Sequence, residues 1–222
     1  MLQQTKTFKL SPSSLKLMKE CPRCFWLENH KVWSRPVGIF PSLPSGMDRI
    51  LKTHFDKFMR KGELPPEIKD HHHTKGLKLF DNEELLKVWR NNFKGITWED
   101  SKGNILHGAV DNILVKGKSL VVLDYKTKGF PIKDETESGD FSQNQLDIYN
   151  FLLRKNSYET EDYAFLLFYI PKEVLETGEV IFDTLLARRN VNVKNAESLW
   201  EKALELLNGE CPQQGCVWCD GR

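Results

Sequence analysis

The sequence predicts a mixed α/β fold in which a sheet is flanked by helices. Two observations carry this prediction. The centre of the chain alternates segments rich in Val, Ile and Leu with amphipathic segments, and the predicted order is helix, helix, strand hairpin, helix, strand, strand, helix. The 222 residues are 40% hydrophobic and 28% charged, a globular composition that excludes collagen-like, coiled-coil and wholly disordered chains.

The N-terminal part is predicted to be helical. A first helix is expected over residues 13–27, because Ser11 can cap it and Pro12 suits its first turn. The Pro- and Gly-rich stretch 35–46 predicts a loop. Its Ser45 is expected to open a second helix over residues 47–60, where apolar side chains recur at helical spacing.

The rest of the chain is predicted to hold the sheet. Residues 61–80, with the triplet His71-His72-His73, predict a solvated loop, with metal binding by the histidines as the alternative. Residues 105–115 and 120–127 predict a strand hairpin, because the link 116–119 is short and contains Gly. The later predictions are a polar stretch over 129–140, a helix over 142–154, a strand over 163–170 ended by Pro171, a strand over 180–187, and a helix over 196–207 stopped by Asn208-Gly209.

The hairpin carries the sharpest chemical signal. Asp111 lies in or at the end of one predicted strand, and Asp124 and Lys126 lie two residues apart on the next, so they point to the same face. Two converging carboxylates form an oxygen-rich site for a hard cation, which suits metal-assisted phosphodiester hydrolysis, and a lysine there can stabilise the transition state. Gln145 and Tyr149, four residues apart on one helical face, can contact a DNA backbone or hold the lysine; core packing of Tyr149 is the alternative.

The five cysteines stand near the two ends of the chain. Two pairs are spaced C-x-x-C, Cys21 with Cys24 and Cys216 with Cys219, and four thiolates suit Zn²⁺ or an iron–sulfur cluster. Spacing alone selects these four and leaves Cys211 spare. Such a site would be a clasp that ties the chain ends together, with aromatic residues packed around it.

Three short motifs together resemble a known nuclease family. They are Gly108-Ala109-Val110-Asp111, Leu123-Asp124-Tyr125-Lys126-Thr127 and Gln145-Leu146-Asp147-Ile148-Tyr149. Their order and spacing resemble the PD-(D/E)XK (restriction-endonuclease-like) superfamily, most closely its RecB-type branch with the CRISPR-associated iron–sulfur exonucleases. The resemblance implies that Asp111 and Asp124 bind metal, that Lys126 is catalytic, and that Gln145 and Tyr149 support the site.

The resemblance has two further implications. In the family, an early G-x-x-x-H helix supplies a metal ligand, but counting from Gly46 this position is Ile50, so Asp48 or His54 would have to substitute. In the similar exonucleases, one N-terminal and three C-terminal cysteines hold a [4Fe–4S] cluster. That pattern selects Cys21, Cys211, Cys216 and Cys219 and leaves Cys24 spare, in contrast to the spacing argument. The resemblance favours the iron–sulfur cluster as the cofactor of the cysteines, with a structural Zn²⁺ as the alternative.

The expected activity is therefore that of a DNA exonuclease that uses Mg²⁺ or Mn²⁺ on single-stranded or frayed ends. One nuclease domain is expected over 1–222, with an N-terminal helical part (1–60), a catalytic core (100–190) and a C-terminal helix with the clasp (191–222). The alternatives are a degenerate nucleic-acid-binding module and a partner subunit of a CRISPR adaptation or recombination complex.

The charge and hydropathy of the chain limit which binding partners and which cellular location are expected. Lys and Arg number 32 against 31 Asp and Glu, a formal charge of +1, which excludes a strongly basic nucleic-acid binder but leaves room for a local basic channel or a partner that supplies one. The chain has neither an apolar signal core at its N-terminus nor an apolar run near the roughly 20 residues that span a bilayer. A cytoplasmic protein without a membrane partner is therefore expected.

Overall fold

The computed structural model describes residues 6–39, 41–132 and 142–220 and confirms a mixed α/β architecture, with two sheets flanked by helices. The strands are β1 (Lys9–Leu10), β2 (Lys78–Leu79), β3 (Ile96–Glu99), β4 (Ile105–Gly108), β5 (Asn112–Lys116), β6 (Ser119–Thr127), β7 (Tyr163–Val174) and β8 (Val180–Asn190). The helices are α1 (Pro12–Glu20), α2 (Pro22–Asn29), α3 (Ser42–Lys61), α4 (Pro66–Lys69), α5 (Glu83–Trp89), α6 (Gln143–Lys155) and α7 (Val193–Asn208).

The larger sheet has the order β2-β5-β6-β7-β8. Strands β5 and β6 pair antiparallel, as the predicted hairpin requires, and β6 pairs parallel with β7. A parallel pair needs a long crossover, and α6 supplies it. The smaller sheet has the order β1-β4-β3, and α6 contacts strands of both sheets. This packing places α6 directly beside β6.

The predicted first helix is wrong as a single element. Cys21 ends α1 and also begins α2, with an extended backbone at φ −159° and ψ 106°. The physical reason is Pro22, because a residue that precedes proline is disfavoured in the helical region. The predicted cap is confirmed: Ser11 and Ser14 form a reciprocal capping box, and Pro12 begins the helix.

The predicted strand over 105–115 is also wrong as a single element. The chain runs through β4 in the smaller sheet, crosses at residues 109–111, and enters β5 in the larger sheet. At the end of β4, a Cβ added to Gly108 would lie 2.8 Å from the Tyr149 ring, so glycine permits this close packing. The crossing places Asp111 immediately before β5.

The strand predicted to stop at Pro171 continues to Val174. Beyond Tyr169, β7 loses its pairing with β6 and keeps only β8, so proline stands on a sheet edge, with a register irregularity after it. The helix α3 begins five residues before its predicted start at residue 47, and Ser45 is not its cap. Part of the polar stretch 129–140 lies outside the described residues.

Elements that the sequence pattern missed are β1, β2, β3 and α5, together with α4 and a short 3₁₀ helix, His72–Thr74, inside the predicted loop 61–80. The rings of His71, His72 and His73 lie against one another. Among the described residues, no helix is both long and apolar enough to cross a membrane.

Candidate active site and cysteine cluster

A cleft of about 740 Å³ lies where α3, the crossing before β5, strand β6 and α6 meet. The crossing supplies Asp111, and β6 supplies Asp124 and Lys126, whose alternation with Tyr125 places both on the cleft side. The cleft also contains Asp48, Lys52, Gln145 and Tyr149. Apart from the cysteines, every predicted site residue except His54 therefore lines one cavity.

A chain of polar contacts links β6 to α6. Lys126 Nζ forms an ion pair with Asp124 Oδ2 and donates a hydrogen bond to Gln145 Oε1 over 2.9 Å. Gln145 Nε2 in turn donates to the Tyr149 hydroxyl over 2.7 Å. Gln145 thus holds the lysine, as one of the two predicted roles requires. Tyr149 is also buried, so its ring packs in the core while its hydroxyl supports the chain of contacts.

Asp111 is held from its side chain and from its backbone. The Tyr125 backbone N–H donates to Asp111 Oδ2 over 2.8 Å. Arg90, at the end of α5, donates from Nε to the Asp111 carbonyl oxygen over 2.7 Å and pairs through its NH1 nitrogen with Asp56 Oδ1, also over 2.7 Å. Because α3, α5 and β6 all fix this residue, the Asp111 carboxylate has a defined position.

Helix α3 supplies one carboxylate, Asp48, and one ammonium group, Lys52, to the cleft. Lys52 Nζ lies 2.7 Å from Asp48 Oδ1 and 3.2 Å from Asp111 Oδ1, so the ammonium bridges two carboxylates. Lys52 was not among the residues predicted for this site. Its signal was the spacing of four residues from Asp48, which places both side chains on one helical face.

The side chains of His54 and Ile50 do not line the cleft. His54 Nε2 lies 3.0 Å from Glu67 Oε1, and the Tyr169 hydroxyl donates to the same oxygen over 3.0 Å. The Ile50 side chain, at the position counted from Gly46, is 55% exposed and does not line the cleft. Of the two proposed substitutes for the family histidine, Asp48 is the one that reaches the cleft.

The three carboxylates of the cleft are harder to ionise than an ordinary aspartate. Burial raises the pKa of Asp48, Asp111 and Asp124 above the ordinary value for aspartate. For Asp111, the neighbouring Asp124 charge is the second cause that raises its pKa. Lys126 opposes the rise in the pKa of Asp124, and Lys52 opposes it at all three acids. The cleft therefore favours additional positive charge.

This donor set fits a hard divalent cation. Asp48, Asp111 and Asp124 provide carboxylate oxygens, the ligands that Mg²⁺ and Mn²⁺ prefer. A cation there would offset the burial and repulsion that raise the three pKa values. The lysine Lys126 stands beside the acids, where it can contact a phosphate oxygen or a water. The arrangement is suited to phosphodiester hydrolysis.

Four cysteines form a second candidate metal site. The Sγ atoms of Cys21, Cys24, Cys216 and Cys219 all lie within 4.8 Å of one another. The Sγ distances are 3.7 Å from Cys21 to Cys219, 3.6 Å from Cys24 to Cys216 and 3.9 Å from Cys216 to Cys219. Four thiol groups at these separations can hold a metal ion.

The four clustered cysteines are the two C-x-x-C pairs that the sequence spacing selects. Cys211 lies outside the four-sulfur group, and its Sγ contacts the Pro212 carbonyl oxygen at 3.8 Å. Trp26 and Trp33 pack against the cluster as expected for surrounding aromatics, whereas Phe25 belongs to the main core and Trp218 is 54% exposed.

Backbone hydrogen bonds and burial shift the pKa values of the cysteine thiols. Cys21 Sγ caps α2 by accepting the Cys24 N–H over 3.4 Å, and Cys219 Sγ accepts the Cys216 N–H over 3.3 Å. Hydrogen bonding from the Trp218 backbone N–H lowers the pKa of the Cys216 thiol to about 6, whereas burial raises the pKa of Cys24 to about 12. Metal ligation requires thiolates, so binding at this site releases protons, mainly from the thiols of higher pKa.

Comparisons with known proteins give one family match for this chain. The crystal structure of SSO0001 superposes with a TM-score of 0.44 at 14% identity, covering 95% of this chain and 81% of SSO0001. A search of curated proteins finds no match. The family model of the PD-(D/E)XK nuclease superfamily matches residues 40–221, a range that contains all the acids and the lysines of the cleft. The chain belongs to the PD-(D/E)XK nuclease superfamily.

Proposed function

We propose that this chain is a Mg²⁺- or Mn²⁺-dependent deoxyribonuclease that degrades DNA from single-stranded or frayed ends. The observation that carries the proposal is the convergence of Asp48, Asp111, Asp124 and Lys126 on one cleft. The three aspartates provide oxygen ligands for a hard divalent cation, and Lys126 provides a positively charged side chain. Phosphodiester hydrolysis needs both kinds of group.

In this proposal Asp111 and Asp124 would hold the metal, with Asp48 as the third carboxylate. A divalent ion held there would supply Lewis-acid stabilisation of the phosphate charge and would make a water molecule more acidic. Lys126 stabilises negative charge at the phosphate or orients the attacking water, and Gln145 positions its ammonium through the 2.9 Å hydrogen bond. Tyr149 fixes the other end of the Gln145 amide.

The preference for ends follows from the motif resemblance to the RecB-type branch and its CRISPR-associated exonucleases, and it is tested by substrate topology. A linear single-stranded oligonucleotide and its ligated circle present the same bonds, but only the linear form has ends. With Mn²⁺, the proposal expects degradation of the linear strand and survival of the circle. Equal loss of both forms would instead identify an endonuclease.

A second candidate function is a catalytically degenerate nucleic-acid-binding module. The observation that favours it is Ile50, which stands where the family pattern has a histidine ligand. For such a module we expect DNA binding that is independent of Mn²⁺ and no cleavage of either the linear or the circular substrate. A related candidate, a subunit of a CRISPR adaptation or recombination complex, is favoured by the net charge of +1 and expects strong DNA binding only with a partner present.

For the cysteine cluster we propose one structural Zn²⁺. A single ion with Zn–S bonds of about 2.3 Å places tetrahedral sulfurs about 3.8 Å apart, close to the 3.6–3.9 Å separations of the three pairs. A [4Fe–4S] cubane holds its thiolates farther apart, because each sulfur binds a different corner iron. The cysteine geometry thus supports the zinc alternative, and the motif resemblance supports the iron–sulfur one.

A further inference from the structure

The Lys52 side chain engages the same carboxylate oxygens that a divalent ion would need. Its ammonium contacts both Asp48 oxygens, at 2.7 Å and 2.8 Å, and Asp111 Oδ1 at 3.2 Å. The remaining Asp111 oxygen accepts the Tyr125 backbone N–H. All four oxygens of these two carboxylates therefore already have donors, and three of the four contacts come from Lys52.

Lys52 is also confined to the cleft. Only 20% of its side chain is exposed, and its two carboxylate partners are themselves partly or largely buried. A divalent cation bound to Asp48 and Asp111 would lie within a few ångströms of this ammonium, where like charges repel strongly because the dielectric is lower than in water. Ion and ammonium cannot hold the same oxygens together.

We propose that Lys52 is an exchangeable internal counter-ion, whose ammonium neutralises Asp48 and Asp111 in the metal-free protein and competes with the divalent ion for them. The inference rests on the proposed function in that it takes these acids as metal ligands. When the ion binds, the displaced ammonium remains at the cleft wall and becomes available to a phosphate oxygen of the substrate. Lys52 thereby sets the metal concentration at which the site fills.

The test is Mn²⁺ binding to Lys52→Met, measured by calorimetry without DNA, with Lys57→Met as the control. Lys57 stands on the same helix but is exposed and does not line the cleft. Removing the competing charge is expected to lower the Mn²⁺ dissociation constant at least about tenfold in Lys52→Met and to leave it unchanged in Lys57→Met. The metal-free Lys52→Met protein should also melt at a lower temperature and gain more from Mn²⁺ than the wild type does.

Unchanged or weaker Mn²⁺ binding by Lys52→Met, beside a wild type that binds Mn²⁺, would overturn the inference alone. If Lys52→Met does not fold, Lys52→Gln, which removes the charge but keeps a polar group, takes its place. Mn²⁺ binding by the variant without binding by the wild type would uphold the competition and overturn the proposed metal-dependent activity instead. Absence of binding in both would overturn both proposals.

Discussion

At the residue scale, the raised pKa of Asp111 makes a prediction about stability. Because burial and the Asp124 charge raise this pKa, the folded metal-free protein binds the proton more tightly than the unfolded chain does. Ionised Asp111 therefore destabilises the fold at neutral pH, and Asp111→Asn should raise the Tm in buffer free of Mg²⁺ and Mn²⁺. The advantage should shrink as pH falls and disappear near pH 4, about the ordinary aspartate pKa.

Thermal melts of wild type and Asp111→Asn between pH 4 and 8 measure this effect. Saturating Mn²⁺ should reverse the order at neutral pH, because only the wild type gains the bound ion. A variant that melts below the wild type without metal at pH 7 would contradict the account.

The charged residues of the cleft also illustrate which roles a sequence can reveal. Asp111, Asp124 and Lys126 were predictable because strand alternation and the hairpin place them together. Lys52 was not predictable, because a lysine four residues after an aspartate is usual on a solvated helix. Only the packing of α3 against β6 shows that this pair faces a cleft.

At the element scale, the site depends on the crossing between β4 and β5. Residues 105–115 were predicted as one strand, and only Gly108, Asp111 and Asn112, residue types that are uncommon in strands, mark the change of sheet at 109–111. The deciding contact is non-local, since α6 brings the Tyr149 ring onto Gly108. The break between α1 and α2, by contrast, was marked locally by Pro22.

Gly108→Ala tests the close contact between β4 and α6. The new methyl group would lie 2.8 Å from Tyr149 Cε1 and 3.2 Å from Leu152 Cδ1, so α6 must shift. The substitution should lower the free energy of unfolding by about 1–3 kcal/mol and also reduce cleavage, because Tyr149 and Gln145 would no longer hold Lys126 in place.

The matched control is Gly129→Ala, where an added Cβ meets nothing within 4 Å. Chemical denaturation and a nuclease assay of both variants separate the close packing from a general effect of alanine. Equal stability of the two variants would show that the α6–β4 contact is not tight.

At the scale of the whole molecule, the cysteine cluster joins residues 21–24 to residues 216–219. The sequence predicted such a clasp from two C-x-x-C pairs but left two cysteine sets open, since spacing and family pattern disagreed. Three-dimensional proximity, which spacing does not encode, separates Cys211 from the other four. Arg23 adds to the clasp by donating to the Pro212 and Gln213 carbonyl oxygens at 3.2 Å and 2.9 Å.

Cys24→Ser and Cys211→Ser distinguish the two sets. Metal analysis should find about one zinc per chain in Cys211→Ser and little in Cys24→Ser, whose Tm should fall by roughly 5 °C or more, because metal binding contributes to folding free energy. Iron near four per chain that depends on Cys211 and survives in Cys24→Ser would support the iron–sulfur set instead.

The most direct test of the account is cleavage of end-labelled single-stranded DNA with and without Mn²⁺, by wild type and by Lys126→Met. Methionine keeps the length of the side chain but removes the charge that pairs with Asp124 and contacts Gln145. We expect Mn²⁺-dependent cleavage by the wild type and a loss of about 100-fold or more in the variant, while thermal melts show that the variant is folded. Undiminished cleavage by the folded variant, or no cleavage by the wild type at any Mn²⁺ concentration, would contradict the assignment of this cleft as a nuclease active site.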